Sequence, residues 1–292
     1  MKKVLVLRGG ALGDFLVTLP ALALLRRRWP EARLELIGNA TAAQLALNRQ
    51  LVDAVHSQHA AKWHALYGDR PLPSDLAAWL DEFDLVISYW PDPERELRRR
   101  FPRHARQTFI FAGAMPTLQP AAAHYCEPFS TIGLVTKEFM YHLASHRPAE
   151  KVVAIHPGSG SPTKNWPIVH WRQLAENLRR EFGAKLLVVS GEADGAAASA
   201  LADVGTPLRN LPLEELVNHL AGAALFIGHD SGVSHLAAAC GTPCVLLFGP
   251  SDPATWAPPA SSVRVIRRGP DVSAISVADV LREAGSMLAD RT

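Results

Sequence analysis

The stretch Leu225–Pro253, L-F-I-G-H-D-S-G-V-S-H-L-A-A-A-C-G-T-P-C-V-L-L-F-G-P-S-D-P, leaves the chain few folds to choose from. A short apolar run, Leu225 to Ile227, halts at Gly228. Asp230, Ser231 and Gly232 follow, and apolar residues then recur at helical spacing through Ala239. Gly241 and Pro243 close that helix, and Val245 to Phe248 is apolar throughout, as a strand buried on both faces must be. Strand, turn, helix and strand in so short a span predict an α/β fold. Open sheets of that kind bind ligands in the crevice at the carboxyl ends of parallel strands. Ser231 is placed to cap the helix, whose unpaired N–H groups and positive dipole end suit a phosphate or an anionic leaving group.

The same grammar runs through the whole chain. Val4–Arg8 predicts a strand, followed by a helix carrying Phe15, Leu16, Leu19, Leu22 and Leu25, with Pro20 expected to kink it. Strands are predicted at 33–37, 51–55 and 84–88, helices at 42–48 and from Leu76, and helical turns from Phe129 to Leu143. The alternation restarts after Arg147–Glu150. Strands are expected at 152–155, 185–190 and 208–210, and helices at 170–182, 196–201 and 213–220. With 292 residues, 48% of them apolar, there is material for two cores. The expected organisation is therefore two Rossmann-like domains with mostly parallel sheets, 1–148 and 149–292. A terminal helix capped by Ser276 follows, free to pack back on the first domain.

Several functional classes are excluded at this level. No apolar run approaches the ~20 residues that a membrane helix needs, and Arg8 interrupts the N-terminal segment too early for a secretory signal, so a cytoplasmic protein is expected. A net charge of +2 gives no support for nucleic acid as a partner. Three cysteines, Cys126, Cys240 and Cys244, fit a reducing compartment, and the last two read as small buried side chains. His142 and His146 stand four apart without the Glu of a metal-binding helix, so no metal is expected there. Residues 91–106 hold six arginines, either a solvated helix face or a patch for an anionic acceptor or a membrane surface.

Three loops carry candidate chemistry. G-G-A-L-G-D after the first strand lacks the dinucleotide-binding spacing; its glycines let a ligand approach the backbone, and Asp14 is either a helix cap or a proton acceptor for a substrate hydroxyl. H-P-G-S-G-S-P-T-K-N-W-P, from His156, offers Gly158, Ser159, Gly160, Ser161 and Thr163 to phosphate oxygens and adds the cation Lys164. Glu192, just past a strand end, is placed either to accept ribose hydroxyls or simply to sit in a solvated turn. His235, one turn into the helix after Ser231, reads by itself as a satisfied buried histidine ahead of a ligand. Trp166 and Trp171 read as core anchors. No D-x-D spacing occurs, which argues against a divalent metal bridging a diphosphate and leaves the leaving-group charge to Lys164 and the Ser231 helix start.

Three blocks, taken together and in order, resemble a known family: Gly13-Asp14 with Thr18-Leu19-Pro20; H-P-G-S-G with K-N-W-P from Lys164; and L-F-I-G-H-D-S-G-V-S-H-L-A-A-A-C-G-T-P with F-G-P-S-D-P. They resemble glycosyltransferase family 9, the ADP-heptose:lipopolysaccharide heptosyltransferases and their relatives. The resemblance implies a GT-B fold, two Rossmann-like domains facing a central cleft, and an inverting transfer that needs no metal or other cofactor. It implies a nucleoside-diphosphate sugar such as ADP-heptose as donor, and a saccharide or lipid-linked saccharide acceptor met at the inner face of the membrane. By position, Asp14 matches the family's general base and Lys164 the lysine on the donor phosphates. Gly13 and Ser159 fall in the ligand loops, Glu192 at the ribose-contacting acid and Leu211 near the adenine contact. Asp230, Ser231, Gly232 and His235 match the D-[ST]-G-x-x-H signature beside the diphosphate and sugar. His229 departs from the smaller or amide residue often found there, and residues 58–140, where acceptor recognition belongs, match no family pattern. Two alternatives remain: a GT-B nucleotide-sugar epimerase or hydrolase, and a catalytically silent sugar-nucleotide-binding protein. The joint presence of Asp14 and Lys164 favours catalysis.

Overall fold

The computed structural model describes residues 1–102, 104–148, 151–191 and 195–289, with the side chains of Ala196 and Ala198 left aside. The chain divides into two compact units, Met1–Phe139 and Met140–Thr292. In the first, β1 (Lys3–Arg8), β2 (Arg33–Gly38), β3 (Ala54–Ser57), β4 (Leu85–Ser88) and β5 (Thr108–Phe111) form a parallel sheet in the order β3-β2-β1-β4-β5. In the second, β6 (Val152–His156), β7 (Lys185–Ser190), β8 (Thr206–Arg209), β9 (Leu225–His229), β10 (Cys244–Phe248) and β11 (Val263–Arg267) are parallel in the order β11-β10-β9-β6-β7-β8. The central strands are apolar runs because both of their faces are covered; Val4 to Leu7 and Leu225 to Ile227 have no exposed surface.

The second core shows how periodicity becomes packing. Trp171, Leu174, Ala175 and Leu178 lie at helical spacing on the helix Ile168–Phe182 and meet Val280 and Ala284 of the terminal helix Val277–Ala289 in one cluster over the sheet. Trp166 and Trp171 are buried there as core anchors, their rings 5.4 Å apart edge to face. Ser276 caps the terminal helix, its Oγ accepting from the Asp279 N–H.

Several expected elements are corrected. Pro20 does not kink one helix: there are two, Leu12–Leu16 and Leu19–Arg28, and Pro20 occupies the first turn of the latter, where a missing N–H costs nothing. The strand expected at 51–55 begins only at Ala54, because Gln50 turns the chain with φ +56° and the Leu51 N–H bonds back to Ala46 O. Helical turns after Phe129 stop at Ile132, where Gly133 adopts φ +75°. The arginine-rich stretch is helical only over Glu96–Arg100, and Arg103 lies outside the described residues. The edge strands β5 and β11 and the helix Ala121–Cys126 carry patterns too short to be legible in the sequence. Residues just before the expected 148/149 boundary bond into the second unit: the Leu143 and Arg147 N–H groups donate to Ala239 O and Ala221 O, and His146 Nε2 lies 2.8 Å from Ala223 O.

Acid stability follows from carboxylates held ionised by the first sheet. Burial pushes Glu35 upward, but hydrogen bonds from Arg33 and His56 outweigh it and hold the group below its ordinary value. Asp53 and Asp84 are likewise lowered, because backbone N–H donors overcome the effect of burial. A folded pKa below the unfolded one contributes stability that is complete above the unfolded value and lost as pH falls through the folded one. The melting temperature is therefore expected to fall as pH drops below about 5, through and beyond the ordinary carboxylate range, and Glu35→Gln should flatten that fall in a thermal-melt series.

Candidate active site

Each sheet reverses its strand order once. In the first the chain turns outward from β1 on one side and β4 on the other, and in the second from β6 and β9. Crevices at such switch points lie at strand carboxyl ends, and both groups of candidate residues emerge there. Asp14 follows β1, whereas Lys164 follows β6 and Asp230 follows β9. His156 and Gly228 sit side by side in the β6–β9 register, so the loop 157–167 and the turn at Asp230 leave the sheet together.

In the second unit Lys164 Nζ lies 2.6 Å from Asp230 Oδ2, and Ser251 Oγ donates to the same oxygen at 2.5 Å. The ammonium is about one-third exposed and the carboxylate 10%, so a cation faces outward from a largely buried counter-charge. Ser231 caps the helix Gly232–Ala239, its Oγ accepting from the Ser234 N–H, and lies 3.3 Å from His156 Nδ1. Gly232 and His235, both half-buried, occupy the first turn. Three ligand-directed features therefore stand at one edge: an ammonium, a positive helix end and a small-residue loop.

The loop itself is braced from within. Ser159 Oγ is turned inward, 2.8 Å from Ser161 O and 2.7 Å from the Asn165 side-chain amide oxygen, which leaves Gly160 and Thr163 as the exposed members beside a buried Gly158. The departure at His229 has a structural reason. Its Nε2 accepts from the Trp166 N–H at 2.8 Å and its Nδ1 lies 3.2 Å from Gly158 O, so one buried neutral imidazole clamps both ends of the loop to β9. Leu211 is half-buried just after β8, behind Asn210, whose N–H donates to Ser190 O. Glu192 lies outside the described residues.

In the first unit Asp14 is the third residue of the helix Leu12–Leu16, not its N-cap. Ala11 holds that place, and Asp14 Oδ2 accepts the Ala11 N–H at 3.0 Å. Asp14 Oδ1 lies 3.3 Å from Nη2 of the buried Arg8. Gly13 precedes it, half-buried. Gly10, at φ +114°, is held by the side chains of Gln58 and Asn39, and a Cβ there would stand 2.6 Å from the Asp14 carboxylate. Gly10→Ala is expected to displace that carboxylate and lower kcat by about 10- to 10²-fold, since a misplacement near 1 Å can cost that much; steady-state rates against the melting temperature separate this from unfolding.

Sequence reasoning missed Arg8, Tyr125, Ser251 and Gln58. A charge ending an otherwise apolar strand was the available signal for Arg8, and position at the carboxyl end of β10 the signal for Ser251. Among the described residues no group of three or more His, Cys, Asp or Glu is placed to hold a metal ion, and no helix is long and apolar enough to cross a membrane.

The chain that carries these two sets of residues, one in each unit, has relatives among known proteins. The family model described as glycosyltransferase family 9 (heptosyltransferase) matches residues 117–278, more than half of the chain. The chain belongs to glycosyltransferase family 9 and is a glycosyltransferase enzyme. A lipopolysaccharide heptosyltransferase 1 from Pseudomonas aeruginosa is 27% identical over 86% of this chain and 79% of its own. Among solved structures, the glycosyltransferase family 9 protein of Veillonella parvula superposes with a TM-score of 0.80 at 18% identity, covering 99% of this chain and 98% of that one. An Escherichia coli heptosyltransferase solved with ADP-2-deoxy-2-fluoro heptose does so with 0.74 at 22% identity, covering 97% and 99%. The expected GT-B fold is the fold of these relatives. Asp14 falls outside the span the family model matches.

Proposed function

We propose that this glycosyltransferase moves a sugar, heptose foremost, from a nucleoside-diphosphate donor to a saccharide or lipid-linked saccharide acceptor of the lipopolysaccharide core or another envelope glycan, with inversion and without a metal. The carrying observation is the Lys164–Asp230–Ser251 cluster beside the Ser231-capped helix, which is built to receive a diphosphate. The Escherichia coli relative bound to an ADP-heptose analogue supports the donor class. Asp14 takes the proton of an acceptor hydroxyl as its oxygen attacks the anomeric carbon. The bond from that carbon to the phosphate oxygen breaks, and Lys164 with the helix N-terminus meets the charge of the departing diphosphate. Gly158, Ser159, Gly160 and Thr163 shape the phosphate loop, Leu211 and Glu192 take the nucleoside, and Asp230, Gly232 and His235 flank the diphosphate and sugar. The enzyme works at the inner face of the membrane, where Arg95, Arg98 and Arg99, which line a cavity together with Phe101, offer charge to an anionic acceptor or lipid surface.

The test is an assay of ADP-, UDP- and GDP-sugars with and without core saccharide, in EDTA, with the product anomer read by NMR. Transfer that requires the acceptor, inverts the anomeric centre and persists in EDTA is expected. Free sugar or epimer formed from donor alone would mark a hydrolase or epimerase. Donor binding without turnover would mark a silent binding protein. Loss of transfer in EDTA would overturn the metal-free mechanism.

A further inference from the structure

Arg8 is a buried cation whose ion-pair partner is more accessible than itself. Its side chain is 5% exposed and that of Asp14 38%. A guanidinium taken from water needs a carboxylate, and an apolar side chain would fill the end of β1 at no such cost, so pairing it with an exposed anion serves poorly as a fold-stabilising device. The remaining contacts fix the guanidinium from several sides. Nη2 donates to Tyr125 Oη at 3.0 Å, and Nε lies 3.0 Å from Thr18 Oγ1 and 3.2 Å from the Asp14 carbonyl oxygen. The guanidinium carbon stands 4.4 Å over the Tyr125 ring. Tyr125 is pinned in turn: its hydroxyl donates to Ala114 O at 3.0 Å, and its own carbonyl accepts from the Tyr89 hydroxyl at 2.5 Å.

We propose that Arg8 is a positioning residue for the Asp14 carboxylate, with Tyr125 as its fixed support; this rests on the reading of Asp14 as the base. One carboxylate oxygen is tied to Arg8 and the other to the Ala11 N–H. Two anchors on two oxygens fix the plane of the group, and the remaining lone pairs then point along a set direction. An acceptor hydroxyl meets a base already aligned, which removes the search over side-chain rotamers from the reacting complex. Arg8 itself touches no substrate in this arrangement. Its bidentate reach to Asp14 and Tyr125 through one nitrogen, with a second nitrogen on Thr18, requires the planar fork that lysine lacks.

The test measures kcat, acceptor KM and donor Kd for Arg8→Met, Arg8→Lys and Tyr125→Phe, each alone and combined with Asp14→Asn, with melting temperatures recorded throughout. Arg8→Met is expected to lower kcat by about 10- to 10²-fold while donor Kd stays within about twofold, and Arg8→Lys to recover part of the loss. In the Asp14→Asn background Arg8→Met should change the residual rate less than about twofold, because the group it orients is gone. Unchanged kcat in a folded Arg8→Met enzyme, or an equal loss with and without Asp14, would overturn the proposal. Should Arg8→Met fail to fold, Tyr125→Phe decides. It keeps both charges, is expected to cost about three- to tenfold in kcat, and overturns the proposal if it costs nothing. Full activity in Asp14→Asn alone would instead sink the base assignment, so the two failures are distinguishable.

Discussion

Asp14→Asn is expected to leave a folded enzyme that binds donor normally and transfers about 10²- to 10⁴-fold more slowly, the range over which a positioned general base acts. The amide matches the carboxylate in shape but offers one acceptor oxygen where two donors, Arg8 Nη2 and the Ala11 N–H, now each find one. One donor is therefore left facing an NH₂ group. The cost of an unsatisfied buried donor is about 1–3 kcal/mol, and the 38% exposure of this side chain lets water offset part of it. A melting temperature a few degrees lower should accompany the loss of rate, which must be measured well below the transition. Donor Kd is the control, because the proposed diphosphate contacts lie in the segments that follow β6, β9 and β10 of the other unit. Undiminished transfer by the Asn variant would remove Asp14 from the chemistry.

How far the sequence carried this picture depends on where each element sits. Central strands such as β1, β6, β9 and β10 are buried on both faces, so their apolar runs were legible. Long helices such as Ile168–Phe182 showed their stripe. Edge strands have no such constraint: β11 is V-R-V-I-R with mostly exposed residues, and β5 is four residues long. Where backbone geometry decides, as at Gln50, a non-glycine at positive φ, composition gave no warning of the turn, whereas at Gly133 the glycine itself marks the helix stop.

The candidate site divides the same way. Lys164, Asp230 and the Ser231 cap lie in continuous motifs, and the structure sets the Lys164 ammonium 2.6 Å from Asp230, next in sequence to the Ser231 cap. The groups that brace these residues, and those beside Asp14, were not legible because their sequence separations are long: Ser251 reaches Asp230 across 21 residues, His229 reaches the 158–166 loop across 63 and 71, and Tyr125 reaches Arg8 across 117. A hydrogen bond of that span leaves no periodic trace, and for Ser251 and His229 it is the strand order, β10 beside β9 and β9 beside β6, that brings the partners together.

Lys164→Ala is the second large effect expected, and it has two parts. The ammonium is lost as a charge-assisted donor to the leaving diphosphate, and the Asp230 carboxylate, 10% exposed and until then neutralised at 2.6 Å, is left facing the same anion. A fall of about 10²- to 10³-fold in kcat/KM is expected, comparable to removing one preorganised donor to a developing negative charge. The two parts separate in a double variant. Asp230→Asn in the Lys164→Ala background removes the repelling charge while the amide oxygen still accepts from Ser251 Oγ, so it should restore part of the lost donor affinity, although Asp230→Asn alone weakens the enzyme by releasing Lys164 from its partner. Calorimetric titration with the nucleoside diphosphate reads this directly. If the losses of the two single variants simply multiply in the double variant, Asp230 contacts the substrate independently of Lys164, and its role as the counter-charge that holds the lysine ready for a diphosphate is wrong.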